Sequence, residues 1–523
     1  LINSSMPIQM KSSILACAGL KNRQSANTFV LFENDDREWL NITSGLPATP
    51  NISSLQFLKN CLSQFPRVVL YDFNAQQILF PLILTIAGVE TALPMEDSLL
   101  STLLNDQTSQ PTIVFDATKQ WQNTSVLSAT AQIHKKYVEL TSSLAMMNPG
   151  YEQPRDPLES PQLTSKPNVG LTDFIVGHKL FNMFLWDACI PFTKDHALMR
   201  LIASENPWQK PIATFGYNNA WNVGGGDLFE AETDCVQEHN LGQIASDGFS
   251  NLSFFSAQQP LSAPLQQNPM MTNTSGQVKV ALIVGDGDNL NFVKGTRLNW
   301  MQQRVQRCGT TANQGSCYPL LWTLSPATQQ FAPEMAKHYF NLASNTLVDY
   351  FVLPPSGALY SYPAQFDDRK VQGEYVKSTE QSAQMFSTSV SVSWEWFYAW
   401  NEAIKDYLPQ YTERGIVKGF VPVNVPFNIP IFEFASGEFF KLIEPRDNSS
   451  TADPVVLFRP REWRGITGST NIPFASSFYY TPQQMAEEIN AYPAGTVTAI
   501  YLTSDGGASV ENAFDPLVSL LND

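Results

Sequence analysis

KVALIVGDGDNL, residues Lys279 to Leu290, is the stretch on which the reading of the fold turns. An apolar run as long as a buried strand ends at Gly285, and two carboxylates and an amide follow at once in Asp286-Gly287-Asp288-Asn289. The pattern recurs downstream, each apolar run ending in polar or Gly/Pro residues: Tyr318 to Leu324, Asp349 to Leu353, Ser389 to Trp394, Gly419 to Val423, Pro454 to Phe458 and Thr496 to Leu502. Helical stretches, Ala332 to Ala343 and Thr481 to Ile489 among them, lie between several of these runs. Strand and helix in alternation over residues 276–523 predict a C-terminal (β/α) barrel-like domain with seven or eight strands. In such a domain the working residues stand at the C-terminal ends of strands, which selects Asp286, Asp288, Ser356, Glu395, Asn424, Arg459 and Asp505.

Working back toward the N-terminus, Gln258 to Gly276 is polar and Pro-containing, and it marks the main domain boundary. A second Pro-rich stretch, Asn148 to Asn168, places another boundary near residue 165. Before it, Thr28 to Phe32, Arg67 to Tyr71 and Thr112 to Phe115 read as buried strands of a parallel α/β sheet. The expected organisation is therefore an N-terminal α/β domain (1–165), a mainly helical middle region (166–275) and the C-terminal domain (276–523). In the middle region, Leu171 to Ile190 and Leu198 to Glu205 are predicted helices. The Gly-rich Asn222 to Asp227 lacks the G-K-[ST] ending of a phosphate loop and reads as a turn.

Composition limits the function. Hydrophobic residues make up 43% and charged residues only 15% of the 523, which excludes a disordered chain. A formal charge of −16 repels phosphate backbones, so no nucleic-acid partner is expected. The strongly apolar run Ile78 to Val89 is shorter than the roughly 20 residues of a spanning helix, and a soluble protein without membrane insertion is expected. N-x-S/T acceptors at Asn3, Asn41, Asn51, Asn123, Asn251, Asn273 and Asn448, six cysteines, and a first residue that is not Met point to a secreted, extracellular glycoprotein. Cys308 and Cys317 bracket a short polar loop and are the favoured disulfide pair. Cys17, Cys61, Cys189 and Cys235 read as further bridges or buried thiols.

Three side-chain groups carry chemistry. Asp286-Gly287-Asp288-Asn289 fits neither an EF-hand nor a dinucleotide fingerprint, leaving a helix-capping turn or a catalytic or metal-binding acid pair. Glu395, set among Trp394 and Trp396 at a strand end, is either a proton donor whose pKa is raised by burial or the partner of an arginine such as Arg459. Trp322, Tyr360, Tyr362 and Trp394 fall at or beside strand ends, where aromatic faces could stack on sugar rings. His134, His178, His196, His239 and His338 are scattered without ligand spacing and read as structural.

Gly357-Ala358-Leu359-Tyr360-Ser361-Tyr362-Pro363 resembles the G-x-G-Y-x-Y-P signature of the GxGYxYP putative glycoside hydrolase family. Asp286-Gly287-Asp288-Asn289, Trp322-Thr323-Leu324-Ser325-Pro326, Pro355-Ser356-Gly357 and Ser504-Asp505-Gly506-Gly507 are similar to that family's blocks in the same order, and Gly19-Leu20-Lys21-Asn22-Arg23 resembles its N-terminal G-x-x-N-R. Leu359 stands where the second glycine belongs, filling space or restricting the backbone beside Tyr360. The resemblance implies an N-terminal α/β region, a C-terminal domain holding the motif, and carbohydrate chemistry.

The combined expectation is a glycoside hydrolase acting on poly- or oligosaccharide. Glu395 would be the acid and Asp286 or Asp288 the nucleophile or base, with Asp505 joining the catalytic set. Asn289, Trp322, Ser356, Gly357, Tyr360, Tyr362, Trp394 and Arg459 would bind the substrate. No organic cofactor is expected, and a divalent cation at the Asp286/Asp288 turn is the metal-bound version of the same reading. The competing class is a non-catalytic extracellular glycoprotein that binds glycans or self-assembles into a surface or fibrous layer.

Overall fold

The structure, a computed structural model, describes residues 6–43, 52–105, 110–152, 162–163, 168–216, 239–268, 276–309, 317–395, 399–423, 437–446, 451–466, 478–503 and 507–522. Asn3, Asn51, Cys235, Asn273, Trp396, Asn424, Asn448, Asp505 and the Gly-rich 222–227 lie outside them. The chain divides into two compact units, Leu1–Pro260 with Gln330–Met335 and Leu261–Gln329 with Ala336–Asp523.

The first unit is α/β with two parallel sheets. Strands β1 (Arg67–Tyr71), β2 (Leu93–Glu96) and β3 (Thr112–Asp116) form one, in the order β2-β1-β3. Strands β4 (Leu144–Met146), β5 (Phe181–Met183), β6 (Ile212–Phe215) and β7 (Leu241–Ile244) form the other, in the order β5-β4-β6-β7. Because β4 pairs on both sides with strands that follow residue 165, the boundary expected there falls inside one unit, and the middle region is mixed rather than mainly helical. The helix expected over Leu171 to Ile190 is confined to α3 (Thr172–His178). Lys179, at φ 56°, ends it in the left-handed region, and Phe181–Met183 is drawn into the sheet.

Thr28 to Phe32 is not a strand. Its backbone groups are taken by side chains instead: Thr28 N–H donates to Asn22 Oδ1 (2.9 Å), Val30 N–H to Asn251 Oδ1 (2.7 Å) and Phe32 N–H to Asp36 Oδ2 (2.7 Å). That network also removes Asn251 from the glycosylation sites. Asn251 is 1% exposed, and its Nδ2 donates to Val30 O (2.7 Å) and Asp36 Oδ1 (3.2 Å), so the nitrogen that would carry a glycan is engaged and enclosed. Asn41 and Asn123 are exposed. In material from a eukaryotic secretory host, peptide mapping is expected to find no glycan at Asn251, whatever the occupancy at Asn41 and Asn123. A glycosylated Asn251 in folded protein would overturn this packing.

The G-x-x-N-R segment, at the end of α1 (Ile8–Asn22), is structural. A Cβ on Gly19 would lie 2.1 Å from Asp173 O. Arg23 ties together two helix C-termini: Nη2 reaches Val176 O (2.8 Å) of α3 and Gly88 O of α2 (Phe80–Glu90), and Nε reaches Gly177 O (3.1 Å). A cation on terminal carbonyls whose backbone partners are long cap bonds (3.4 Å) adds an acceptor-satisfying donor and complements the helix dipoles. Over Phe73–Glu90 the chain is helical and apolar enough to cross a membrane by composition, and 72% of that window is buried within the protein. Cys17 of α1 is bonded to Cys61, Cys308 to Cys317, and Cys189 is disulfide-bonded as well.

The second unit begins at Leu261, earlier than expected. Leu265 N–H donates to Met385 O (2.8 Å), and the Gln267 amide bonds the Phe351 backbone on both sides (2.7 and 2.8 Å), so the polar linker is sewn into it. All seven expected strands form: β8 (Lys279–Val284), β9 (Leu320–Thr323), β10 (Asp349–Val352), β11 (Val390–Trp394), β12 (Gly419–Val423), β14 (Val455–Phe458) and β16 (Val497–Leu502). Two more, β13 (Phe440–Ile443) and β15 (Pro460–Trp463), are added. One sheet has the order β10-β9-β8-β16-β15, all parallel, and the other β11-β12-β14-β13, with only β13 antiparallel. Every second residue of the strands enters one apolar cluster: Ile283, Val352, Val392, Val421, Val423, Ala499 and Tyr501, with Leu321, Trp394 and Phe458 packed against it. Fully burying each such side chain contributes about 1.5–3 kcal/mol, and the cluster defines an inner sheet face whose C-terminal end carries the candidate site.

Candidate functional site

The turn after β8 is built by contacts that admit only glycine at two positions. A Cβ on Gly285 would lie 2.7 Å from both Leu502 O and the Tyr501 ring, and one on Gly287 would lie 2.0 Å from Thr323 O. Gly287 N–H donates to Thr323 Oγ1 (3.0 Å), that hydroxyl donates to Val284 O (2.8 Å), and Ser325 N–H donates to Gly287 O (2.7 Å). The chain is thereby turned sharply over the end of β9, with Asp286 in the left-handed region at φ 61°, which Asp tolerates better than most residues.

Asn289 caps: its Oδ1 accepts from Asn291 N–H (2.9 Å) and Phe292 N–H (3.3 Å). That role engages its side-chain oxygen and leaves Asp288 outside the cap. Asp288 keeps some exposed surface, yet the protein around it desolvates the carboxyl. Burial first, and then the charge of Asp286, push its pKa up to about 7, against smaller opposing pulls from its own backbone N–H and from Arg297.

Arg297 is the foundation of the turn, and nothing in the sequence pattern singled it out. Fully buried, it donates Nη1 to Thr323 O (2.6 Å) and Nη2 to Gly285 O, and its guanidinium lies 5.1 Å from the Trp322 ring centroid. It is held in a π-helical turn, Val293–Arg297, a feature often found at functional sites. Trp322 is correspondingly not a sugar platform. It is completely buried, and its neighbour Leu321 is the one that meets the inner cluster.

Two further residues missed in the sequence belong here. Tyr501 stands opposite Ile283 in the β8–β16 register, and Glu462 stands opposite Tyr501 in the β15–β16 register, so both face inward. The Tyr501 phenol is pushed well above its usual pKa by burial and by the charges of Asp288, Asp286 and Glu462, so it feels all three carboxylates. Glu462 Oε1 accepts from Arg464 Nε (2.8 Å). The sequence reading ended this strand at Phe458, before Arg459, but the chain continues through Pro460 into β15, and Arg459 sits at the junction with Nη1 on Glu438 O (3.4 Å). The alternation that would have revealed Glu462 is hidden because Pro460 looks like a strand terminator.

Glu395 is not brought to this cluster. It is 0% exposed, and its carboxyl accepts from Ala364 N–H (3.0 and 3.2 Å). Burial pushes its pKa well above the ordinary range, partly offset by that N–H, and the groups it influences are Tyr375, Tyr407 and Tyr411, not the aspartates. The rise in pKa on burial expected for Glu395 is found, while its 0% exposure closes the carboxyl to a substrate. Among the described residues no cation pairs with it, Arg459 included. Glu395→Gln is expected to leave any turnover within about threefold of wild type, since a group sealed from solvent makes no substrate contact. A carboxyl with a raised folded pKa lends its full stability at acid pH and loses it as pH rises from the unfolded value, near 4.3, toward the folded one. Melting curves of Glu395→Gln should therefore gain on wild type as pH increases; a parallel pair of profiles would refute the burial.

The Gly357–Pro363 segment explains itself as architecture. Ser356 Oγ accepts from Trp394 N–H (2.7 Å) and donates to Trp394 O (2.8 Å), bracing β11, and it is 1% exposed. Gly357, at φ 107°, has no room for a Cβ beside Thr379 Cγ2 (2.5 Å). These two position the loop in place of binding substrate. Tyr375 shares its hydroxyl proton between Leu359 O (2.7 Å) and Ser356 O (2.9 Å). Leu359 is not among the positive-φ residues, so the second glycine of the signature is conformationally dispensable here. Tyr360 meets Trp394 edge-to-face at 4.9 Å and Tyr362 lies 6.2 Å from the same ring. Tyr362 is completely buried, whereas Trp394 stays partly exposed on the inner face. Among the described residues no group of three or more His, Cys, Asp or Glu side chains could hold a metal ion.

Comparison with curated proteins finds no match. Among solved structures the fold is similar to that of a putative hydrolase from Bacteroides thetaiotaomicron VPI-5482, at 16% identity and a TM-score of 0.72, over 99% of this chain and 90% of that one. Residues 276–422, which carry the acidic turn, Trp394, Glu395 and the Gly357–Pro363 segment, match the model of the GxGYxYP putative glycoside hydrolase C-terminal domain.

Proposed function

We propose that the second unit is a glycoside hydrolase whose proton donor is Asp288. The observation that carries this reading is a carboxyl raised to about 7 beside a second carboxylate at the C-terminal end of a parallel sheet, within the segment that matches the family. The two acids divide the work: Asp288, whose pKa is raised, protonates the leaving oxygen, and Asp286, whose charge helps hold that proton, is the nucleophile or base. Glu462 is a third carboxylate on the inner face and, steadied by Arg464, positions the substrate or the attacking water. The partly exposed face of Trp394, backed by Tyr360, suits a sugar ring. Asp505 keeps its proposed place in the catalytic set on the strength of its strand-end position in the sequence.

A barrel-like wall around this cluster is part of the proposal. Its support is the isolated parallel bridge Leu353↔Ser391, which adjoins β10 to β11, and the single residue, Arg459, between β14 on one sheet and β15 on the other. Secretion is supported by the disulfides. The test is hydrolysis of a panel of oligosaccharides and aryl glycosides by wild type and by Asp288→Asn. Turnover that depends on Asp288 supports the reading, whereas glycan binding without turnover in wild type would favour the binding-glycoprotein alternative.

A further inference from the structure

Away from the inner face, against α4 (Leu298–Cys308) and the start of the helical run that begins at Val510, lies a cavity of about 80 Å³ lined by Trp300, Arg304, Arg307, Trp322, Ser509 and Glu511. Arg304 is 2% exposed. Its Nε pairs with Asp349 (3.2 Å) and its Nη2 donates to Tyr318 O, but among the described residues Nη1 has no hydrogen-bond partner. Trp322 Nε1 stands near enough to Asp349 to help hold that carboxylate's charge, yet it makes no hydrogen bond of normal geometry. Buried guanidinium and indole N–H groups are costly when unsatisfied, the charged one more so, and native proteins seldom leave them so.

The rest of the wall is also rich in donors. Ser509 Oγ caps Asn512 N–H (3.3 Å), and the π turn Val510–Phe514, whose first residues Val510 and Glu511 line the cavity, runs on into Asp515–Asn522, so the start of a long helical run forms this side of the wall. Arg307, bonded to Asp515, stands at the rim, as does the exposed carboxylate of Glu511. The volume corresponds to about two or three water molecules, too small for a sugar ring and sufficient for one small ion.

We propose that this cavity binds a small oxyanion, a carboxylate or a tetrahedral phosphate-like group, that accepts from Arg304 Nη1 and the first turn after Ser509. The site is independent of the hydrolase reading. The ion is either free or a substituent of a larger molecule, and sodium phosphate and sodium acetate probe the shared chemistry directly.

The full chain, followed by tryptophan fluorescence because Trp300 and Trp322 line the cavity, is titrated with each salt against sodium chloride at matched ionic strength. A saturable change with phosphate or acetate alone is expected. Arg304→Lys, which can still pair with Asp349 but lacks Nη1, should weaken it at least tenfold, and Glu511→Gln, which removes the competing carboxylate, should strengthen it about threefold. A flat wild-type response would mean that water fills the cavity, and the proposal would fail. Unchanged affinity in Arg304→Lys would also overturn it. If that variant does not fold, the exposed Glu511→Gln decides alone, and no gain in affinity counts against the site. Saturation by phosphate but not acetate, or the reverse, identifies which oxyanion the cavity takes, and either result supports the site.

Discussion

Asp288→Asn is expected to lower kcat on natural glycosides roughly 10³-fold, the range associated with loss of a positioned general acid. KM should move little, because the amide keeps the size and hydrogen-bonding edge of the carboxyl. The pH profile separates this cause from a general disturbance. The acid works only while protonated, so wild-type turnover should fall as pH rises through about 7, the value to which burial and Asp286 raise Asp288, and the variant should lack that limb. Leaving-group chemistry provides a second check. An aryl glycoside with a strongly electron-withdrawing leaving group departs without protonation, and on it the variant should recover most of the lost rate. An equal loss on both substrate types would take the donor role away from Asp288 and transfer the search to Glu462. Removing Asp286, the proposed nucleophile or base, should abolish turnover, and without its charge the Asp288 titration, followed by carboxyl NMR, should shift to lower pH.

Gly287→Ala is expected to cost about 3–5 kcal/mol, at the upper end of single-residue effects. The added methyl would lie 2.0 Å from Thr323 O and 2.2 Å from Thr323 C, backbone atoms at the end of a central strand that cannot swing aside as a side-chain tip can. Relief requires moving the whole turn, which would also break Gly287 N–H to Thr323 Oγ1 and pull Thr323 O from Arg297. Because the chain folds as two compact units, the measurement is denaturant unfolding resolved by unit, with loss expected in the second and none in the first. If Gly287→Ala unfolds like wild type, the close approach at Thr323 does not exist, and the geometry assigned to Asp286 and Asp288 fails with it.

Much of the second unit was legible without coordinates, because its strands are buried on both faces and therefore appear as unbroken apolar runs with polar ends. The acidic turn was visible for the same reason. The first unit was harder to read. Thr28 to Phe32 has strand composition, yet Asn22, Asn251 and Asp36 satisfy its backbone from other parts of the chain, and local sequence carries no trace of such partners. Phe181–Met183, expected as helix, became strand because an open edge of β4 was there to receive it.

For the site the division is sharper. The sequence by itself determined that two carboxylates and an amide leave a strand on a glycine turn, that a Ser-Gly and a Tyr-x-Tyr-Pro segment follow the third strand, and that an acid sits among aromatics after the fourth. Those are properties of neighbouring residues. Only the tertiary structure decided which groups share a space: it sealed Glu395 behind Ala364 and turned Trp322 onto Arg297, and it set Glu462 and Tyr501 on the face where Asp286 and Asp288 end. The physical reason is that burial and charge coupling depend on distance through space, and residues 288, 462 and 501 become neighbours only when parallel strands from distant parts of the chain align in register.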